Sequence, residues 1–357
     1  MDLTYCIVLK ARLAPMDFAS SLENFRKLTC RQIDLLMRRR NYNSDVLYRL
    51  LPEYTARRGK GIRPALCLAA CAASNGNITD ALNSAVAVEL FHNAFLIKDD
   101  IEDDSEYRRR DETIKARYGT SVALNVGDAM SVLAMKALLR NVQKIGVHKA
   151  LVVFQEIQRM AERTVEGQAM ELEWVRQNEW DILDKDYYLM CQGKTAWYTA
   201  ATPCRVGTII GSSDISHSRL SVLTRFGLNL GVAFQIQDDI LNLIGNEVEY
   251  GKEINGDLVE GKRTLILIRT FRAATGAERT TIAQITARTR NQKTKEDIRF
   301  LRRLIKKYDS IRVCAGVSKR FAKKARDTLK AECAWMVNQH AKDFLTHMAD
   351  YVVNRQI

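Results

Sequence analysis

Proline is nearly missing from this chain, and that constrains its fold more than any other feature. Only Pro15, Pro52, Pro64 and Pro203 occur, so nothing after Pro203 forces a helix to break. A proline inside a helix removes one backbone hydrogen bond and clashes with the preceding turn. Apolar residues recur at the spacing of a single helix face and predict helices over 18–50, 65–73, 79–103, 121–143, 147–175, 184–211, 217–246, 263–273 and 296–308. The second opens at Pro64, where proline is tolerated. Turns fall at Ser74-Asn75-Gly76-Asn77, Gly211-Ser212-Ser213-Asp214 and Asn255-Gly256-Asp257. No strand alternation and no fixed-period repeat is read. At 357 residues the chain is long enough for two domains. The residues of chemical interest run from Lys60 to Lys262, however, and a cut midway would split them. The expectation is all-α: a flexible N-terminal extension over 1–17, then one helical domain over 18–357.

Composition narrows the class. The chain is 46% hydrophobic and 27% charged, which argues against wholesale disorder. No apolar run approaches the roughly 20 residues that span a bilayer. Tyr5-Cys6-Ile7-Val8-Leu9 lacks the length and basic lead of a secretion signal, so a cytoplasmic protein without a transmembrane segment is expected. Cys6, Cys30, Cys67, Cys71, Cys191, Cys204, Cys314 and Cys333 are scattered among apolar neighbours. With no CxxC pair or nearby histidine they read as reduced thiols rather than zinc ligands. The net charge of +13 gathers at Arg288–Lys307 and Lys319–Arg326. Such runs usually form a solvated face. Nucleic acid is not expected as a partner, because no recognised motif or aromatic interleaving supports it; attraction to anionic substrates or a membrane surface is the other reading.

Two acidic clusters carry the chemistry: Asp99-Asp100-Ile101-Glu102-Asp103 and Asp238-Asp239-Ile240-Leu241-Asn242. Residues four apart share a helix face, so Asp99 projects with Asp103 and Asp238 with Asn242. Carboxylates this close repel unless a cation neutralises them, and Mg²⁺ binds one or two carboxylates plus water and substrate phosphates. Basic residues follow at short offsets. Lys60 and Arg63 lie in Arg58-Gly59-Lys60-Gly61-Ile62-Arg63-Pro64, beside small residues that let an anion approach. His92 precedes Asp99 by two turns, Arg108-Arg109-Arg110 follows Asp103, Lys194-Thr195 lies mid-chain, and Lys252 and Lys262 bracket Gly256-Asp257. Each alone has an ordinary structural explanation. Together they could hold two diphosphates, one through metal and one through direct ion pairs.

The chain resembles the trans-isoprenyl diphosphate synthases, the family of farnesyl and geranylgeranyl diphosphate synthases, from Arg58 to Ile268. Seven segments match in order: GKxxRP at Gly59–Pro64, ELFH at Glu89–His92, DDxxD with RR at Asp99–Arg109, GD at Gly127-Asp128, GQ at Gly167-Gln168, KT at Lys194-Thr195, and FQxxDDxLN through KxxxxDxxEGK at Phe234–Lys262. The resemblance implies an isoprenoid-synthase bundle with a central cavity, a homodimer, and three Mg²⁺ ions. Asp99, Asp103 and Asp238 would be the metal ligands, with Asp100 and Asp239 close by. Arg108, Lys194, Lys252 and Lys262 would bind the allylic diphosphate. Lys60, Arg63, His92 and Arg109 would hold isopentenyl diphosphate, while Gln168, Gln235 and Thr195 would line the site. Departures are Asn242 in place of a third aspartate, Gly61 for a frequent arginine, Lys98 before the first cluster, Arg110 for a usual glycine and Lys115 for a frequent histidine.

Product length should be set along the helix that ends at Asp99, whose turns rise about 5.4 Å, roughly one isoprene unit. Phe95 lies one turn below Asp99 and Phe91 two, with the small Ala94 beside them. A short-chain product is expected, geranylgeranyl before farnesyl diphosphate. The alternatives are a class I terpene cyclase and a non-catalytic prenyl synthase subunit. The cyclase motif NDxxSxxxE does not fit Asp238, Asp239, Asn242 and Asn246, and a subunit of that kind would have lost metal ligands.

Overall fold

The computed structural model describes residues 17–37, 45–57, 59–245 and 253–355. Its helices are α1 (Phe18–Met37), α2 (Asp45–Ala56), α3 (Ile62–Ala73), α4 (Ile78–Glu102), α5 (Ile114–Tyr118), α6 (Thr120–Leu139), α7 (Asn141–Ile145), α8 (Val147–Arg176), α9 (Asp184–Cys191), α10 (Thr202–Gly211), α11 (His217–Ile244), α12 (Gly256–Glu260), α13 (Leu265–Ala273), α14 (Gly276–Thr286), α15 (Lys295–Lys307), α16 (Ser310–Glu332) and α17 (Gln339–Asn354). The all-α expectation holds. Of the expected N-terminal extension only Asp17 is among the described residues.

Within 18–50 the described residues form α1 and the start of α2, which carries Pro52 inside it; 38–44 lie outside the described residues. Three expectations need correction. The stretch 184–211 is α9, a π-helical segment over Gln192–Ala201, and α10. A two-strand hairpin, β1 (Tyr107–Arg108) with β2 (Asp111–Glu112), follows α4. Its strands are too short to show alternation, and it turns through Arg109 and Arg110 at φ 55° and 66°. Finally, Thr120–Ile145 forms a 26-residue helical stretch long and apolar enough, by length and composition, to cross a membrane. Asp128 and Lys136 interrupt its apolar residues, so the sequence did not read as one continuous run. Its Ala123, Val126, Met130 and Ala134 are buried.

The core divides along α11. One apolar cluster gathers α3, α4, α6, α10, α17 and the first part of α11, from Leu220 to Ala233. The second gathers α9, α13 to α16 and the last part of α11, from Val232 to Leu243. Helix α4 is buried on nearly every side, through Ala81, Ala85, Val88, Leu90 and Ile97 among others, as expected of a helix enclosed by a bundle. Side-chain caps fix where elements begin: Asn77 accepts from Thr79 N to start α4, and Thr264 from Leu267 N to start α13. The start of α4 fixes its far end, where Asp99, Asp100 and Asp103 lie.

Candidate active site

Asp99 and Asp100 occupy the last turn of α4 and Asp103 is its C-cap. Asp238 and Asp239 sit near the end of α11. Negative charge at a helix C-terminus opposes the helix dipole, so each cluster needs cations brought from elsewhere. Both ends open on one cavity of ≈ 730 Å³. Asp99, Asp238, Asp239, Arg108, Lys194, Thr195, Gln168, Gln235 and Lys262 line it, as do Lys60, Arg63, His92, Arg109 and Phe95. Asp100 lies beneath, at 1% exposure, bonded to Arg108. Lys252 is outside the described residues.

The first cluster is neutralised from three directions. Arg108, on the hairpin, reaches Asp99 at 3.0 Å as well as Asp100. Lys194 reaches Asp99 at 3.3 Å and also pairs with Glu171 of α8. Lys262 pairs with Asp103 and, at 3.0 Å, with Glu260. Burial opposes the charge on Lys194, but Glu171 and Asp99 outweigh it and raise its pKa; Asp103 and Glu260 do the same for Lys262. Burial, with Asp99 beside it, pushes Asp103 up to about 7 against the pull of Lys262.

In the second cluster Asp239 is buried and accepts from Tyr187 Oη at 2.6 Å and Gln235 Nε2 at 2.8 Å. Burial raises it to about 7 although both hydrogen bonds favour its anion. Gln235 Oε1 accepts in turn from Thr195 Oγ1 at 2.6 Å. Asp238 accepts from Arg355 Nη2 at 2.7 Å. That buried arginine also donates to Phe234 O at 3.3 Å and stacks on the Phe234 ring at 4.0 Å. Asn242 points away from the cavity: Nδ2 donates to Glu253 O at 3.4 Å and Oδ1 accepts from Asp257 N at 3.2 Å. It latches the loop before Lys262.

A basic end faces these acids. Arg63 donates to His92 Nε2 at 3.2 Å and to Thr199 Oγ1 at 2.9 Å, with Tyr198 under its guanidinium at 4.6 Å. Accepting from Arg63 requires His92 Nε2 to be unprotonated. Arg109 is held by Arg57 O at 2.9 Å and Asn93 Oδ1 at 3.3 Å. Lys60 reaches into the cavity, where burial among its walls and the nearby Arg355 push its ammonium down to about 8. Gly61 takes φ 66°, and a Cβ there would stand 2.9 Å from Arg26 Cγ, so the frequent arginine has no room. Lys98 pairs with Asp128 at 3.0 Å, and Lys115 pairs with Asp104.

Lys194 and Thr195 lie in the π-helical segment, a distortion frequent at functional sites. Gly167 of α8 meets it so closely that a Cβ would stand 2.1 Å from Lys194 N. Phe95 meets Tyr198 edge-on at 5.6 Å and stacks on Phe91 at 6.2 Å. Phe91 and Ala94 are buried in the core, and Leu96, Thr164 and Val165 line the same cavity as Phe95. The sequence reading missed Glu171, Tyr187, Tyr198 and Arg355. Of these Glu171, one helical turn after Gln168, and Tyr198, one turn after Lys194 and Thr195, carried a periodic signal.

Among the described residues no three or more His, Cys, Asp or Glu side chains converge as a preformed metal cage. The donor set still suits Mg²⁺. Hard oxygens stand at one cavity: Asp99 and Asp238 are paired with Arg108, Lys194 and Arg355, cations that can transfer to an entering diphosphate, and Asp239 is held by Tyr187 and Gln235.

A polyprenyl synthetase family model matches residues 44–305. Geranylgeranyl diphosphate synthase of Saccharolobus solfataricus is 31% identical over 301 residues, 84% of this chain and 87% of that protein. (2E,6E)-farnesyl diphosphate synthase of Mycobacterium tuberculosis is 34% identical over 239 residues, 67% of this chain and 64% of that protein. The crystal structure of geranylgeranyl pyrophosphate synthetase from Pyrococcus horikoshii superposes with a TM-score of 0.80 at 31% identity, over 95% of this chain and 98% of the other. The chain belongs to the polyprenyl synthetase family and is a prenyltransferase of the trans-isoprenyl diphosphate synthase kind.

Proposed function

We propose that the protein condenses isopentenyl diphosphate with an allylic diphosphate (dimethylallyl, geranyl or farnesyl) to give geranylgeranyl diphosphate or, failing that, farnesyl diphosphate. The observation that carries this reading is one cavity lined both by carboxylates paired with lysine and arginine and by a second set, Lys60, Arg63, His92 and Arg109. A terpene cyclase has no use for the second.

Asp99, Asp103 and Asp238 would hold Mg²⁺, three ions by family expectation, which supplies Lewis-acid stabilisation to the departing pyrophosphate. Lys194, Lys262 and Arg108 stay charged beside these acids and would move to the allylic diphosphate oxygens, stabilising negative charge as the carbon–oxygen bond breaks. Lys60, Arg63, His92 and Arg109 would anchor isopentenyl diphosphate. Its terminal double bond attacks the allylic carbon and a proton leaves to the pyrophosphate, so no nucleophilic side chain is needed. Phe95, Tyr198 and Phe234 keep water from the carbocation.

A homodimer is supported by an apolar stripe along α6 and α8. Val132 and Leu139 are each 67% exposed, Val147 61% and Leu151 59%, more than a solvated face usually carries.

Labelled isopentenyl diphosphate, each allylic partner and Mg²⁺ test the reaction. Linear prenyl diphosphates are expected; hydrocarbons from an allylic diphosphate alone, or no turnover, would overturn it. Phe95→Ala should lengthen the product, read by chromatography of the hydrolysed prenols, and an unchanged length removes Phe95 from the cavity floor.

A further inference from the structure

The segment 295–332, helices α15 and α16, holds thirteen Lys and Arg against five Asp and Glu, so it carries +8 of the chain's +13. Little of this charge is used internally. Arg299, Lys307, Arg312, Lys323 and Arg326 have carboxylate partners. Lys295, Arg302, Arg303, Lys306, Lys319, Arg320, Lys324 and Lys330 are exposed and form no ion pair among the described residues. Repulsion among eight such cations is an electrostatic burden with no return inside the fold.

The shape of the charge matters as much as its size. On α15, Lys295, Arg299, Arg302 and Lys306 follow at spacings of three and four and so share one face. The helix buries only the opposite side, through Leu301, Leu304 and Ile305. On α16 the exposed cations run from Arg312 to Lys330, a rise of roughly 27 Å at 1.5 Å per residue. A single substrate anion cannot span that length; an extended anionic surface can. Within 295–332 only Val313 is an exposed large hydrophobic residue. Phe300 and Phe321 are only partly buried but lie under Arg303 and Lys324, leaving no bare aromatic platform for nucleobases.

The face also borders the cavity rim. Arg302 donates to Asn255 Oδ1 at 2.9 Å. Asn255 N is bonded to Asn242 O at 2.8 Å, and Asp257, two residues on, lines the cavity.

We propose that the α15–α16 face docks the protein on an anionic phospholipid bilayer, electrostatically and without insertion, with the cavity rim near the lipid surface. The choice of a bilayer over other polyanions rests on the proposed reaction, whose product is a diphosphate carrying a long hydrocarbon chain. Clusters of four to eight Lys and Arg on an amphipathic helix are the usual form of such docking.

The test is co-sedimentation of the full chain with vesicles of phosphatidylserine and phosphatidylcholine in equal parts, against phosphatidylcholine alone. Binding to the first only, released as salt shortens the electrostatic range, is expected. Each cation near such a surface contributes roughly a five-fold factor. Reversing Arg303, Lys306, Lys319, Arg320 and Lys324 to glutamate should therefore weaken binding by at least about a hundredfold, with glutamine at the same positions intermediate. Circular dichroism and turnover of soluble substrates should be unchanged, because none of the five lines the cavity. Equal binding to neutral vesicles, no vesicle binding, or equal binding by the reversed variant would overturn the proposal. So would polyuridylate binding that anionic vesicles fail to compete away. Vesicle binding needs no substrate, so a failed condensation assay and a failed docking assay are distinguishable.

Discussion

Two cationic side chains have consequences that can be measured one residue at a time. Lys60 falls to about 8 because burial and Arg355 disfavour its charge. The sign follows: the ammonium is present below pH 8 and lost as pH rises through it, and diphosphate binding needs it. The KM for isopentenyl diphosphate should rise above about pH 8, by up to roughly tenfold per pH unit. Lys60→Arg, which cannot deprotonate in this range, should flatten the rise; a flat wild-type profile would remove Lys60 from the binding set. Arg355 engages Asp238 directly and so competes with any divalent cation for that carboxylate. Arg355→Gln should tighten Mn²⁺ binding without substrate by roughly tenfold or more in calorimetry; unchanged affinity would mean the two do not compete.

At the scale of elements, the contact between α8 and the π-helical segment governs where Lys194 points. Gly167→Ala would drive a methyl group into the Lys194 backbone, and overpacking of this kind costs about 1–3 kcal/mol. Displacing Lys194 from Asp99 and Glu171 should lower kcat at least about tenfold, since misplacement by about 1 Å can cost far more. Full activity with an unchanged unfolding midpoint would show that the segment yields harmlessly. The GQ and KT pairs were legible in the sequence, but the π-helical bonding between Gln192 and Ala201 was not. Changing hydrogen-bond partners from i+4 to i+5 leaves no trace in apolar spacing over ten residues. The hairpin holding Arg108 was invisible for a similar reason, being only two residues per strand.

For the whole molecule, the stripe on α6 and α8 predicts a dimer in solution. Val132→Arg together with Leu151→Arg, on separate helices of that stripe, should yield a monomer by light scattering; a monomeric wild-type chain would remove the homodimer. The stripe is also what made the apolar run of Thr120–Ile145 hard to read. Ala123, Val126, Met130, Ala134, Ala137 and Leu138 serve the core while Leu124, Val132, Met135, Leu139 and Val142 face outward, so the spacing alone could not separate them.

The sequence by itself determined that the chain is helical, because apolar spacing and scarce proline act locally along the backbone. It also pointed to most of the acids and bases that the structure brings to one cavity, because each cluster is contiguous or one turn long. Only the tertiary structure decided their partners. Arg355 meets Asp238 across 117 residues, Tyr187 meets Asp239 across 52, and Asn242 proved to be a loop latch rather than a third acid. Such pairings depend on where helices end in space. That is settled by the packing of α4, α8 and α11 around one cavity, and a pattern of neighbours along the chain does not contain it.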